Sequence, residues 1–281
     1  MRRHGTADSA KGLIPEGHLC WAYDDRAEFQ ARAVEYLADG IAAGQWVEYV
    51  GSGSTETLHA QLAGFEELHR ALDAGGIAVT PVKDFYAFHP GSDVIDPQAA
   101  VTARVAATEE ALAAGYTGFR AVVDATAMVA TPQQRRPFVQ FEHLIDRTMR
   151  SRPVTAMCCY DLGQLGSAAV TELACLHPLT NLDTPFQLYA EHDGDIAVTG
   201  TIDPSCADLF TTALAHATAP VSGKELVIDG HGLTSIDGHG LFALDRLARD
   251  HDRKVVLRGS PPRTTQLIDL LDLTHIKTED S

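Results

Sequence analysis

No window of the 281 residues approaches the roughly 18 uninterrupted apolar residues that a membrane-spanning helix needs. The opening MRRHGTADSAKG carries charge with no apolar stretch behind it, so neither a membrane span nor an export signal is expected, and a cytoplasmic location is. Cysteine is sparse. Cys20, Cys158, Cys159, Cys175 and Cys206 are odd in number, scattered and without a CxxC pair, which argues against a disulfide framework or a zinc-finger spacing and for reduced thiols. Basic residues are scarce too, with 22 Lys and Arg against 38 Asp and Glu and a formal charge of −16. Phosphate backbones and anionic lipid surfaces are repelled overall, and no basic stripe with interleaved aromatics compensates locally, so direct nucleic-acid or membrane binding is not expected. The short basic arm of Arg2, Arg3 and Lys11 reads as a solvated tail.

What is present is a hydrophobic fraction of 45%, enough to supply cores for two domains of ordinary size. From residue 18 to about 175, short apolar runs alternate with helical patterns, as in repeated βαβ units over a mostly parallel sheet. The runs are His18–Ala22, Trp46–Val50, Ile77–Val82, Phe119–Asp124 and Val154–Tyr160. Phe29, Ala33, Leu37 and Ile41 recur at three- and four-residue spacing, so Asp25–Ala43 is an amphipathic helix, with Gly40 and Gly44 near its stop. Pro97–Ala114 and Pro132–Arg150 repeat the arrangement, each opening on a proline where a missing N–H costs little.

Residues His177–Pro185 hold two prolines and turn formers without periodicity, which marks a boundary. The expected organisation is an α/β domain over 13–178, a linker over 179–185 and a smaller α/β domain over 186–281. In the latter, Phe186–Glu191 and Ile196–Thr199 flank a turn at 192–195 as a strand pair, and a helix starts near Ser205 and Asp208. Leu226–Ile228 reads as a central strand buried on both sides. Gly240–Asp250, Val255–Leu257 and Thr264–Leu271 complete the alternation.

Several chemistries are argued against by what stands at the relevant positions. The first strand is followed by Tyr23-Asp24-Asp25-Arg26, where a nucleotide-binding fold would place a glycine-rich loop with a lysine, and two carboxylates there repel a triphosphate. Gly51-Ser-Gly-Ser-Thr55 lacks that lysine and follows the second strand, so it reads as a plain strand-to-helix turn. Asp124 ends a strand as a magnesium-holding aspartate would, but a polar residue at a strand's C-terminal end is ordinary. No nucleophile with an adjacent base is evident, so no catalytic residues are assigned and no cofactor is expected. Asp-Gly-His-Gly occurs at 229–232 and at 237–240. Nothing in the spacing brings His231 and His239 together, so the glycines are read as turns, the aspartates as backbone acceptors, and no metal is assigned.

Gly200-Thr-Ile-Asp203, Leu226-Val-Ile-Asp229 and Leu233-Thr-Ser-Ile-Asp237-Gly-His-Gly240-Leu241 follow one another in an order that resembles the sulfate-transporter and anti-sigma-factor-antagonist (STAS) domain. The resemblance implies a partner-binding domain whose partner is an anti-sigma factor or a related kinase-like regulatory protein, in transcriptional and stress signalling. It places the partner surface at Asp203, Asp237, Gly238, His239 and Gly240. In phosphorylated relatives the segment reads Asp-Ser-x-Gly, and the serine accepts phosphate at the start of a helix. Here Gly238 holds that position and has no hydroxyl, so the usual mark of about −1.5 to −2 charge cannot be placed there.

His18-Leu-Cys with Tyr23, Gly40–Tyr49, Gly115-Tyr-Thr-Gly-Phe-Arg120, Phe141-Glu142, and Cys159-Tyr-Asp161 with His177-Pro178 resemble, as an ordered set, the MEDS sensory domain of methanogen and methylotroph regulators. That resemblance implies a RecA-like three-layer α/β fold that senses a small molecule and is fused to an output domain. Where the family often has a tryptophan after the fourth strand's acidic residue, this chain has Ala125-Thr-Ala-Met128. Ligands of open α/β sheets bind beyond the C-terminal strand ends, which nominates Cys20, Tyr23, Asp124, Tyr160 and Asp161, with His18 beside them and Arg120 and Glu142 as charge partners. Cys158 and Cys159 are strand neighbours facing opposite ways, and Cys20 with one of them is the candidate for a thiol switch.

The expected function is a non-catalytic regulator that senses a small molecule or a protein signal through its first domain and binds a partner through its second. The alternatives are a degenerate nucleotide-binding enzyme using Asp124 and Glu142, and a scaffold of many copies assembled through the C-terminal domain.

Overall fold

A computed structural model describes residues 3–13, 17–191, 195–218 and 223–279. The chain folds into two compact units, one formed by residues 3–174 with 179–182 and the other by 175–178 with 183–281.

The first unit is built on strands β1 (Gly5–Thr6), β2 (His18–Tyr23), β3 (Trp46–Gly51), β4 (Ile77–Pro81), β5 (Phe119–Asp124), β6 (Val154–Asp161) and β7 (Leu179–Thr180). They form one seven-stranded sheet in the order β1-β7-β2-β6-β5-β3-β4, with every pairing parallel. All six residues of β2 and all six of β5 are buried, which explains why these strands read as apolar runs and not as alternations. Its helices are α1 (Arg26–Ala42), α2 (Thr55–Leu62), α3 (Glu66–Asp73), α4 (Val82–Phe85), α5 (Pro97–Ala113), α6 (Pro132–Met149), α7 (Leu162–Leu165) and α8 (Ser167–Ala174). Helix α1 packs on β3 and β5, with α2 and α3 beside it, whereas α5 and α6 pair with each other over β5 and β6.

The helix starts follow from their caps. Asp25 accepts a hydrogen bond from the Ala27 amide at the head of α1, Asp96 accepts from Ala99 at α5 ahead of Pro97, and Thr131 with Gln134 forms a reciprocal capping box at α6 ahead of Pro132. Helix α1 buries Phe29, Ala33, Tyr36 and Leu37 along one stripe, and the chain leaves it through Gly44 at φ 70°.

Two expectations change here. The basic N-terminal arm is not wholly a solvated tail: Arg3 and Lys11 are exposed, but Ala7, Ala10 and Leu13 are buried and β1 extends the sheet, while Arg2 lies outside the described residues. The segment 179–185, read as a linker, begins with β7, whose Leu179 and Thr180 pair with Leu19 and Cys20. Two-residue strands carry no periodicity, so neither is visible in the sequence.

The second unit contains β8 (Phe186–Tyr189), β9 (Ile196–Ile202), β10 (Glu225–Asp229), β11 (Leu233–Ile236), β12 (Lys254–Arg258) and β13 (Ile276–Glu279), with helices α9 (Ala207–Thr218), α10 (Gly238–Asp250) and α11 (Thr264–Leu270). The sheet runs β11-β9-β10-β12-β13, with β8 antiparallel on β9. The strand pair expected at 186–199 is present, and positions 192–194 of its turn lie outside the described residues. β10 is central as expected, although Val227 is half-buried between the buried Leu226 and Ile228. Strands β11 and β13 are additions to the expected set.

Candidate functional site

Alternation along the parallel strands sends the candidate residues of the first unit to two faces of the sheet. On the α1 face, at the C-terminal strand ends, the Tyr23 hydroxyl donates to Asp124 Oδ2 at 3.0 Å and the Arg26 guanidinium donates to the same oxygen at 2.6 Å. Thr126 Oγ1 donates to the other oxygen, Oδ1, at 2.8 Å, and itself accepts from the Asp161 amide at 3.0 Å. Burial, followed by the charge of Asp124, pushes the Tyr23 phenol up, so it stays a donor. Both Asp124 oxygens are thus engaged by protein donors, and the carboxylate acts as a clasp between the ends of β2, β5 and β6. Asp161 turns away to cap α7, accepting from the Gln164 amide at 3.1 Å. The head of α1, where a nucleotide-binding fold would hold phosphate, is closed by the carboxylate of Asp25.

The opposite face carries a second, deeper cluster beneath α6. His18 stands between two carboxylates, its Nε2 3.0 Å from Glu142 Oε2 and its Nδ1 3.0 Å from Asp146 Oδ1, with all three side chains fully buried. The Tyr160 hydroxyl donates to Glu142 Oε1 at 2.7 Å. Cys158 Sγ lies 3.6 Å from His18 Nε2 and 3.7 Å from Glu142 Oε2. Burial lowers the affinity of the His18 imidazole for its proton, but hydrogen bonds and charge from Asp146 and Glu142 outweigh that and raise its pKa. Cys20, buried, lies in register beside Cys158. An apolar cavity of about 20 Å³ adjoins Cys158, lined among others by Phe85, Tyr86, Phe141, Ile145 and Met149. It has room for about one water.

The sequence-nominated residues therefore split. His18, Glu142 and Tyr160 come together, as do Tyr23, Asp124 and the Asp161 backbone, but Arg120 stands apart from Glu142. It lies on the α1 face, its Nε donating to Gln45 Oε1 at 2.7 Å and its Nη atoms to the carbonyls of Tyr36 at 3.1 Å and Leu13 at 3.3 Å. Arg26 and Asp146 were missed. Arg26 lies in the first turn of a helix directly beyond the Tyr23 strand end, and Asp146 lies one turn beyond Glu142 on α6, so the i, i+4 spacing was the available signal.

In the second unit Asp237 accepts from the Gly240 amide at 3.0 Å and caps α10, with His239 Nδ1 3.1 Å from its other oxygen. Gly238 is the first residue of that helix. A β-carbon there would meet only Leu271 Cδ1, at an ordinary 3.5 Å. Asp203 is engaged locally, accepting from the Ser205 hydroxyl at 2.6 Å. Each histidine of the repeated motif pairs with its own aspartate, His231 Nδ1 lying 2.7 Å from Asp229 Oδ1. Phe242 on α10 and Leu270 on α11 are 48% and 79% exposed.

An α/β unit with its strand-end carboxylate clasped by protein donors is joined to a smaller α/β unit, and the family models that the two match, one sensory and one regulatory, make the chain a signalling regulator. Residues 17–178 match the family model described as MEDS, the MEthanogen/methylotroph, DcmR Sensory domain, and the chain belongs to that family. Residues 189–278 match the model described as Mlab, STAS domain, so the chain is a MEDS–STAS fusion. Among solved structures, the flagellar accessory protein FlaH from Methanocaldococcus jannaschii is similar over 66% of this chain and 76% of its own, at 12% identity and a TM-score of 0.40. Curated protein sequences gave no match. Among the described residues, no helix is long and apolar enough to cross a membrane.

Proposed function

We propose that the chain is a non-catalytic cytoplasmic switch in which the MEDS unit senses a small molecule or a protein signal and the STAS unit binds an anti-sigma factor or a related kinase-like regulator, without phosphate at the family's acceptor position. The observation that carries this reading is the start of α10. Asp237 caps the helix, and the residue that follows it is Gly238, with no side-chain hydroxyl to accept phosphate. Exposed Phe242, one turn along, supplies an apolar anchor of the kind that dominates interfaces. Because phosphate cannot release the partner at this position, control falls to the MEDS unit. Its signal must bind the two arrangements with different affinity, since equal affinity shifts nothing.

Calorimetric titration of the full chain against anti-sigma-type kinases tests this. Binding is expected without ATP, weakened about tenfold or more by Phe242→Asp. Absence of binding to every such regulator of the source organism overturns it. The enzyme alternative draws no support from Asp124, whose two oxygens are already held by Tyr23, Arg26 and Thr126.

A further inference from the structure

The cluster beneath α6 brings together three ligand atoms of three different kinds from residues 124, 16 and 140 positions apart in pairs. Nε2 of His18, Oε2 of Glu142 and Sγ of Cys158 are separated by 3.0, 3.6 and 3.7 Å. A tetrahedral zinc with bonds of about 2.0–2.3 Å sets its ligands about 3.3 Å apart for nitrogen and oxygen and about 3.5 Å apart for either with sulfur. The observed triangle matches that geometry to within a few tenths of an ångström.

Outer contacts aim the ligands inward. Asp146 holds the far ring nitrogen of His18, so Nε2 faces the cluster, and Tyr160 holds Oε1 of Glu142, so Oε2 faces it. A carboxylate on the second nitrogen of a ligating histidine is the usual support for a zinc-bound imidazole. All of these side chains lie in a fully buried setting. A thiolate, an imidazole and a carboxylate together suit zinc better than magnesium or calcium, which prefer oxygen alone.

We propose that His18, Glu142 and Cys158 form a buried zinc site, with water or a further side chain as the fourth ligand. The ion takes the place of the proton between Nε2 and Oε2, and that proton and the Cys158 thiol proton leave to solvent. The Asp-Gly-His-Gly motifs, in contrast, commit each histidine to its own aspartate. The site is independent of the partner-switch reading, since the MEDS unit binds zinc whether or not the STAS unit finds a partner.

The test uses the full chain, stripped with a chelator and titrated with Co²⁺ as a spectroscopic stand-in for zinc, alongside elemental analysis of protein purified from zinc-supplemented cells. One zinc per chain and a near-ultraviolet thiolate-to-cobalt band are expected. Cys158→Ser abolishes the band, whereas Cys159→Ser, one residue along on the other face of β6, keeps it. Asp146→Asn lowers zinc affinity about 10–100-fold. Circular dichroism confirms that each variant is folded, and the unmodified chain provides a reading that needs no variant. No zinc and no cobalt band in the folded unmodified chain overturns the proposal, as does a band that survives Cys158→Ser.

Discussion

Gly40 of α1 lies so close to Arg120 of β5 that a β-carbon at position 40 would fall 2.5 Å from the Arg120 Cδ and 2.7 Å from Cγ1 of Val47. The helix carries a residue of poor helical propensity here, which lets a guanidinium pass between it and the sheet. Gly40→Ala gains about 1 kcal/mol in propensity but overpacks a filled site at about 1–3 kcal/mol, and both neighbours are buried. Net destabilisation is therefore expected, read as a lower urea midpoint with an unchanged slope.

Arg120 itself ties β5 to Gln45, to the Tyr36 carbonyl in α1 and to the Leu13 carbonyl in the N-terminal segment. Arg120→Met preserves much of the volume and leaves those buried acceptors without their donor. A loss of about 3–5 kcal/mol is expected. Amide exchange should quicken first around residues 7–13, which the guanidinium helps to hold.

How far the sequence disclosed this architecture depends on the kind of signal. Long periodic segments such as α1, α5 and α6, and apolar runs such as β2 and β5, were legible because each buries a whole stripe or both faces. β1 and β7 were not, since two residues have no period. The candidate site was legible as a set of residues but not as an arrangement. Arg120 and Glu142 were nominated together as charged groups of one pocket, yet Arg120 shares the sheet face of Asp124, while Glu142 hangs from α6 over the other. Strand alternation gives relative faces within β5; which face α6 covers is fixed only by the chain crossing. Asp146 was missed because no family motif or strand end pointed to it.

Cys20, Cys158, Cys159, Cys175 and Cys206 are all buried, and none is joined to another in a disulfide. In metal-free protein, burial first, and neighbouring negative charge second, pushes the Cys158 and Cys159 thiols well up from their ordinary value, so little thiolate forms at mild pH. The native protein is expected to resist a water-soluble disulfide reagent at pH 8, and all five cysteines to react once it is unfolded in guanidinium. Rapid reaction of Cys20 or Cys158 in the native state would instead revive the thiol-switch alternative.

His18, Glu142 and Asp146 bury two carboxylates around one imidazole. His18→Leu removes the group that both face and, in metal-free protein, is expected to cost about 3–5 kcal/mol, whereas Glu142→Gln, which retains a hydrogen-bonding oxygen, costs less. Denaturant titrations of the two variants against the parent compare them directly.

At the head of α10, Asp237→Ala removes the cap to the Gly240 amide and is expected to cost about 1 kcal/mol. Gly238→Ser meets only the tip of Leu271 at van der Waals distance, so the fold is expected to accept it and the helix start to gain the hydroxyl it lacks.

That substitution gives the most direct test of signalling without phosphate. The parent chain and Gly238→Ser are each incubated with ATP and the anti-sigma-type kinase that binds the parent, and intact-mass spectrometry reads the phosphate on residues 186–281. The parent is expected to stay unmodified and bound, while the variant gains one phosphate and lets its partner go. Phosphate on the parent STAS unit, accompanied by release of the kinase, would contradict the account.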